Sequence, residues 1–348
     1  MKQLIVPTGY MGSGSSAATD IISEIDGYYA DNGTFEYVFL HCPGGVFDLE
    51  DKLLMGNNAL RSDEALHTFE KTMRQLFDKK YWWVGNYKKL VSPRFMELTE
   101  DYINRLIVSK PDFYWYQQEN TNFRMFCQLC IRKLVSYLTF GHVKMKKPLL
   151  YPEIWLSLPS PEEFYQITSE YITQVLVEMG IEEKNLVLDQ FLLPFNLFRV
   201  DRYFGDNLHV FNIYRDPRDV FIINKYIWPA RNETVPFPTD AKAFASIYSR
   251  IRRSERPCES EKVHRFAFED LIYHYEESLA KIYDCLGVTA EMHTGKGTAF
   301  QPEKSIENTQ LFLANDKYRE EAEIIAKMVP EYLYDFPYER IPKTSQSF

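Results

Sequence analysis

Leu4-Ile5-Val6-Pro7-Thr8-Gly9-Tyr10-Met11-Gly12-Ser13-Gly14-Ser15-Ser16 reads as a short buried strand that runs into a glycine- and serine-rich loop. Ala17 to Ile25 then follows a helical pattern that stops near Gly27. Strand, loop and helix in that order are the setting of a phosphate-binding loop. The glycines let the backbone fold tightly and turn N–H groups inward, and the helix N-terminus adds about half a positive charge. The hydroxyls of Ser13, Ser15 and Ser16 are further donors, so Gly12, Ser13, Gly14, Ser15 and Ser16 form a candidate anion cradle. Tyr37–Leu40 reads as a second buried strand, which completes a βαβ unit and implies a parallel sheet.

The loop also fits part of the pattern G-x-x-x-x-G-K-[ST]. Gly9 and Gly14 have the spacing and Ser16 is the final hydroxyl, but position 15 is Ser where an NTPase has Lys. That lysine supports the outer phosphates of a triphosphate, so its loss speaks against ATP hydrolysis and for a less charged donor.

Outward from the loop, helical patterns dominate to about residue 180. Ser62 reads as an N-cap for the face Ala65, Leu66, Phe69, Met73, Leu76 and Phe77. Phe123, Phe126, Cys130, Leu134 and Tyr137 form another apolar stripe, and Cys127 and Cys130 within it read as core cysteines. Ser160-Pro161-Glu162-Glu163 is a helix start, and Gly180 is the matching stop. Strands return at Leu186–Leu188, Val210–Tyr214 and Arg265–Phe268, and the last precedes a helix ending at Gly287. The expected fold is α/β: a P-loop-type parallel sheet flanked by helices, with a largely helical insertion over about 50–180. One domain spans 1–348.

Composition narrows the function classes. The 348 residues carry a net charge of −9, which argues against a general nucleic-acid binder. The 24 Tyr, 25 Phe and 5 Trp supply core packing and, beyond that, an apolar cleft. Five scattered cysteines exclude a disulfide scaffold, and no metal-ligand cluster stands out. Neither a signal peptide nor an apolar run long enough to span a bilayer is present, so the expected location is cytoplasmic with no integral membrane segment. The oligomeric state is open.

A second anion site is suggested by Tyr214-Arg215-Asp216-Pro217-Arg218-Asp219-Val220 at a strand end, where open α/β sheets bind ligands. Arginine there offers planar, permanent, bidentate contact to phosphate.

With both motifs in view the chain resembles the sulfotransferases that use 3′-phosphoadenosine-5′-phosphosulfate. Ser13-Gly14-Ser15-Ser16 matches that family's 5′-phosphosulfate loop, and Arg215 to Val220 matches its Arg-[Asn/Asp]-Pro-[Arg/Lys]-Asp-Val motif for the 3′-phosphate. Phe268-Glu269-Asp270-Leu271, Leu286-Gly287 and Lys304-Ser305-Ile306-Glu307-Asn308 follow in the family's order. The resemblance implies sulfonate transfer to an acceptor hydroxyl on a glycan, lipid or small molecule, with adenosine 3′,5′-bisphosphate as product and no metal. Two positions depart from it. Gly12 stands where many members have a bridging lysine, for which Lys52 and Lys304 are candidate substitutes. Ile223 stands where many have a 3′-phosphate serine, for which Asn224 and Ser305 are candidate substitutes.

Sulfonyl transfer needs a base to withdraw the acceptor proton. Asp189, at the end of Leu186–Leu188, and His41, at the end of Tyr37–Leu40, are the two leading candidates. Asp48 and Glu50 are a third choice. Tyr81-Trp82-Trp83 and Phe113-Tyr114-Trp115-Tyr116 either line an acceptor pocket or pack the insertion. Lys144, Lys146 and Lys147, and the run Arg250, Arg252, Arg253 and Arg256, read as solvated faces or anion-facing patches. Two other functions compete: a P-loop kinase acting on a small molecule, and a nucleotide-binding protein without activity.

Overall fold

β1 (Leu4–Gly9) is buried along its whole length, and its alternate side chains enter two different cores. Leu4 and Val6 join Phe39, Phe69 and Tyr171 on one side of the sheet. Ile5 joins Ile21, Phe211 and Ile282 on the other. A strand covered on both faces belongs in the middle of a parallel sheet, and β1 is the central strand of five. The computed structural model describes residues 2–30, 35–111, 122–148 and 153–342.

The other strands are β2 (Tyr28–Ala30), β3 (Asn185–Val187), β4 (Leu208–Tyr214) and β5 (Val263–Ala267), all parallel, in the order β2-β3-β1-β4-β5. The chain passes from β1 through α1 (Ser15–Ser23) to the outer strand β2. It then builds α2 (Val46–Leu54), α3 (Ala59–Asp78), α4 (Tyr87–Leu90), α5 (Phe95–Leu106), α6 (Phe123–Leu138) and α7 (Pro161–Glu178) before it returns as β3. β4 and β5 lie on the opposite side of β1. The direction of winding therefore reverses between β1 and β4, which is where such sheets open a ligand crevice. The expected α/β class and helical insertion are present.

Several local readings are corrected. Tyr37–Leu40 is no strand. β2 pairs with β3 through Tyr28 to Ala30 instead, and Val38–Leu40 turns back on itself, with the amides of His41 and Cys42 donating to the Val38 carbonyl. Phe39 is fully buried among the rings of Tyr87, Phe95, Tyr171 and Phe191. A short apolar run has no period that separates a strand from a buried turn. The N-cap of α3 is Asn58, whose side chain accepts from Arg61 N at 2.9 Å, and Ser62 lies inside the helix, bonded to Ala59 O. The stripe on α6 faces outward, so Cys127 and Cys130 are not in a core: Met125 is the one buried residue of that helix. By contrast α7 starts with the full capping box of Ser160 and Glu163, and Gly180 closes it at φ +93°.

Candidate functional site

The loop after β1 turns sharply. Ser13 N donates to Tyr10 O at 2.8 Å, and Gly12 and Gly14 both have left-handed backbones, at φ +84° and +86°. Gly14 is the N-cap of α1, with no side chain capping the helix. The N–H groups of Ser15 and Ser16 therefore point out of the helix start without intrahelical partners, as an anion cradle requires. Ser13 and Ser15 are buried, and Ser16 is exposed. The Ser13 hydroxyl has no hydrogen-bond partner although it is buried.

Arg215 follows the end of β4. It is buried at 5% exposure and lies flat over Phe268, with its guanidinium carbon 4.5 Å from the ring centroid. Nη1 donates to the Gly12 carbonyl at 3.2 Å, and Nη2 donates to the Asn308 carbonyl. One side chain thus joins the glycine loop, the end of β4 and the segment near residue 305. Nε of Arg215 is buried without a partner. The same Phe268 ring fills the space beside Gly14: a Cβ there would lie 2.5 Å from the ring.

The residues around Arg215 form a dense buried charge cluster. Asp216 accepts from Arg218 Nη2 at 2.6 Å and from Tyr334 N at 3.0 Å. The Asp219 carboxylate accepts from the amides of Gln310 and Leu311 at 2.8 and 2.7 Å, which anchors that segment beside the loop. Glu269 accepts from Asp216 N at 2.9 Å. Burial, and then the Asp216 charge, push Glu269 up to about 8. Burial likewise raises Asp219, with the Arg215 charge opposing the rise. The Arg-Asp-Pro-Arg-Asp-Val motif is thus largely a bracing device, and Arg215 alone of its charged side chains reaches the glycine loop.

On the other side of β1, the two leading base candidates meet at Gln190. Asp189 follows β3, and burial, then Glu36, push its carboxyl up to about 6, while a bond from Ser15 offsets part of the rise. His41 Nε2 lies 2.9 Å from the Gln190 carbonyl. A carbonyl only accepts, so Nε2 carries the proton and Nδ1 is the acceptor. Burial holds the imidazole below its ordinary pKa. Gln190 itself takes a left-handed backbone at φ +57°. Its amide donates to Ser15 Oγ at 3.1 Å, and Thr8 Oγ1 donates to its Oε1 at 3.2 Å. Sequence reasoning missed Gln190, because no motif marks a glutamine that braces a loop. The ring of Phe268 under Arg215 was also missed as a contact, although its position within Phe268-Glu269-Asp270-Leu271 was noticed.

Other candidates are placed elsewhere. Asn224 is fully buried, and its side chain is committed to the backbone of Phe237 and Pro238. Lys52 is held by both oxygens of Glu64 at 2.9 Å. Glu50 is enclosed by Tyr165, Arg199, Arg202 and Tyr203. Asp48 accepts from Gly44 N and holds that turn. Lys304 and Ser305 lie on the short helix Pro302–Ser305, the first exposed and the second half-buried. In the basic run, Arg252 pairs with Glu255, which in turn accepts from the Tyr10 hydroxyl at 2.8 Å. That chain of contacts brings the run to the glycine loop.

No family model matches this chain, and no curated protein sequence does. Among solved structures it is similar to the sulfotransferase domain of the olefin synthase from Synechococcus PCC 7002, at 12% identity and a TM-score of 0.38, covering 97% of this chain and 96% of that one. It is also similar to the sulfotransferase STF9 from Mycobacterium avium, at 13% identity and a TM-score of 0.37, covering 99% of this chain and 78% of that one. A likeness this weak carries no weight as to activity.

The aromatic clusters do not settle an acceptor pocket. Tyr81, Trp82 and Trp83 are exposed in a turn beyond α3, and Phe113–Tyr116 lies outside the described residues. A cavity of about 600 Å³ opens along α3 between His67, Arg74 and Trp155, and it shares no residue with the loop. Among the described residues no group of three or more His, Cys, Asp or Glu side chains could hold a metal ion, and no helix is long and apolar enough to cross a membrane.

Proposed function

We propose that this chain is a sulfotransferase, moving a sulfonate from 3′-phosphoadenosine-5′-phosphosulfate to an acceptor hydroxyl, with residues 1–348 acting as one domain. The observation that carries this reading is the Arg215 guanidinium, which ties the Gly12 carbonyl to the Asn308 carbonyl. Three motifs of the resemblance, far apart in sequence, thereby converge at the winding reversal of the sheet. The buried, unpartnered Ser13 Oγ and Arg215 Nε are both able to donate, and they suit a ligand that brings anionic oxygens.

When bound, the donor supplies the activated sulfonate. The N–H groups of Ser15 and Ser16 and the Ser13 hydroxyl would hold its anionic oxygens and the charge that develops on them. Asp189 sits beside Ser15 with a pKa pushed up to about 6, where a carboxylate is still ionised at neutral pH yet basic enough to take a proton. His41 is joined to the Gln190 carbonyl through Nε2, which leaves its Nδ1 as the other candidate acceptor. Ser15 in the lysine position of an NTPase loop disfavours the kinase reading.

Thermal unfolding separates the readings. Adenosine 3′,5′-bisphosphate at 100 times its Kd should stabilise the fold by about 2.7 kcal/mol. Stabilisation by magnesium ATP in its place would favour a kinase. Stabilisation by the bisphosphate with no labelled product from the sulfonate donor, across a panel of hydroxyl acceptors, would favour a binding protein without activity. No response to the bisphosphate would refute the proposal.

A further inference from the structure

The helix α6 presents its apolar stripe outward. Phe123 and Tyr137 are 83% and 80% exposed, and Phe126, Cys130 and Leu134 between them are exposed as well. The spacing of three and four residues puts all five on one side of the helix. Only Met125 is buried. A helix of sixteen residues has little stability of its own in water, and one buried methionine gives it little tertiary support. Bulky side chains aligned on a free face mark a surface that something else covers.

Charge indicates what covers it. From Asn122 to Pro148 the chain carries Arg124, Arg132, Lys133, Lys144, Lys146 and Lys147 and no Asp or Glu. All 49 acids of this chain, net charge −9, lie outside that stretch. Arg124 and Lys133 flank the apolar stripe on its two sides. Beyond the helix, exposed Phe140, Val143 and Met145 interleave with the three lysines. A protein–protein interface depletes lysine at its core. Exposed apolar side chains mixed with lysine and arginine are the pattern of a segment lying in the headgroup layer of an anionic bilayer. The helix is about 24 Å long, too short to span the hydrocarbon layer, so it lies on the surface.

We propose that residues 123–147 form a peripheral docking surface for anionic lipid bilayers. The stripe inserts among the acyl chains near the headgroups, and the exposed Arg124, Lys133, Lys144 and Lys146 pair with lipid phosphates. This inference is independent of the sulfonate reading.

The test is flotation of the full chain with vesicles of phosphatidylcholine alone and of phosphatidylcholine containing about a third phosphatidylglycerol. Binding is expected to the second and not the first, and to fall in about 0.5 M salt as the charges are screened. The double variant Phe126→Ser, Leu134→Ser alters only exposed positions and should weaken binding about tenfold or more. A second variant, Lys144→Gln, Lys146→Gln, keeps the apolar stripe and should lose about fivefold per charge. Circular dichroism confirms that each variant is folded. Absence of binding to the anionic vesicles overturns the proposal, as does unchanged binding by both folded variants. Light scattering covers the competing occupant: a wild-type dimer that the double serine variant makes monomeric, with no vesicle binding, would identify the face as a self-contact and overturn the proposal equally.

Discussion

Replacing Gly14 by Ala tests the core of the site with one methyl group. Gly14 has φ +86°, a conformation that costs an L-residue about 1–2 kcal/mol. The new Cβ would lie 2.5 Å from Cδ2 of Phe268, so the ring must shift. Overpacking of that kind costs about 1–3 kcal/mol. Reduced freedom of the unfolded chain returns about 0.4–1 kcal/mol. The net expectation is a loss of about 1–4 kcal/mol, read from the midpoint of urea unfolding. The same shift disturbs the ring on which Arg215 rests at 4.5 Å, so affinity for adenosine 3′,5′-bisphosphate should fall about tenfold or more, which calorimetry measures. Combining Gly14→Ala with Phe268→Leu isolates the contact: the smaller side chain relieves the clash while the backbone cost remains. The double variant should therefore be more stable than the sum of the singles predicts, by about 1 kcal/mol. Strict additivity, or a Gly14→Ala stability within about 0.5 kcal/mol of wild type, would refute the close contact between loop and ring.

Three further outcomes are expected. Asp189→Asn should lower sulfonate turnover about a hundredfold or more with bisphosphate binding retained, and near-normal turnover would remove Asp189 as the base. In the proposed role Asp189 acts ionised, and its pKa is pushed up to about 6, so the wild-type rate should rise with pH through that value, and a flat profile between pH 5 and 7 would contradict the assignment. Glu269 binds its proton more tightly when folded, with its pKa pushed up to about 8, so its contribution to stability is complete below the ordinary carboxylate pKa and is lost as pH rises towards 8; Glu269→Gln should flatten that decline in denaturation curves, and an unchanged decline would argue against a carboxyl held protonated by burial.

Much of the scaffold was legible in order and type. The strand at Leu4, the glycine loop, the capping box at Ser160 and the strand ending in Arg215 each depend on neighbours a few residues apart, and local sequence records those directly. The helical insertion was visible for the same reason. The convergence of the loop, Arg215 and the segment near 305 was anticipated only through the resemblance. What misled was burial. Tyr37–Leu40 and the α6 stripe are both apolar runs, and periodicity states which residues share a face without stating what lies opposite it. One proved to be a buried turn under four aromatic rings, the other a face turned outward. Asn224 and Lys52 have the right chemistry for phosphate, and only contacts distant in sequence reveal that a loop backbone and a glutamate already occupy them. Gln190 carries no sequence signal at all, because its role comes from a left-handed backbone set between β1, Ser15 and His41. By itself, then, the sequence determined the elements and the donors on them, since both follow from short-range bonding. Which donors remain available to a ligand, and which apolar faces remain uncovered, was decided by tertiary packing, since availability depends on everything else that competes for the same atoms.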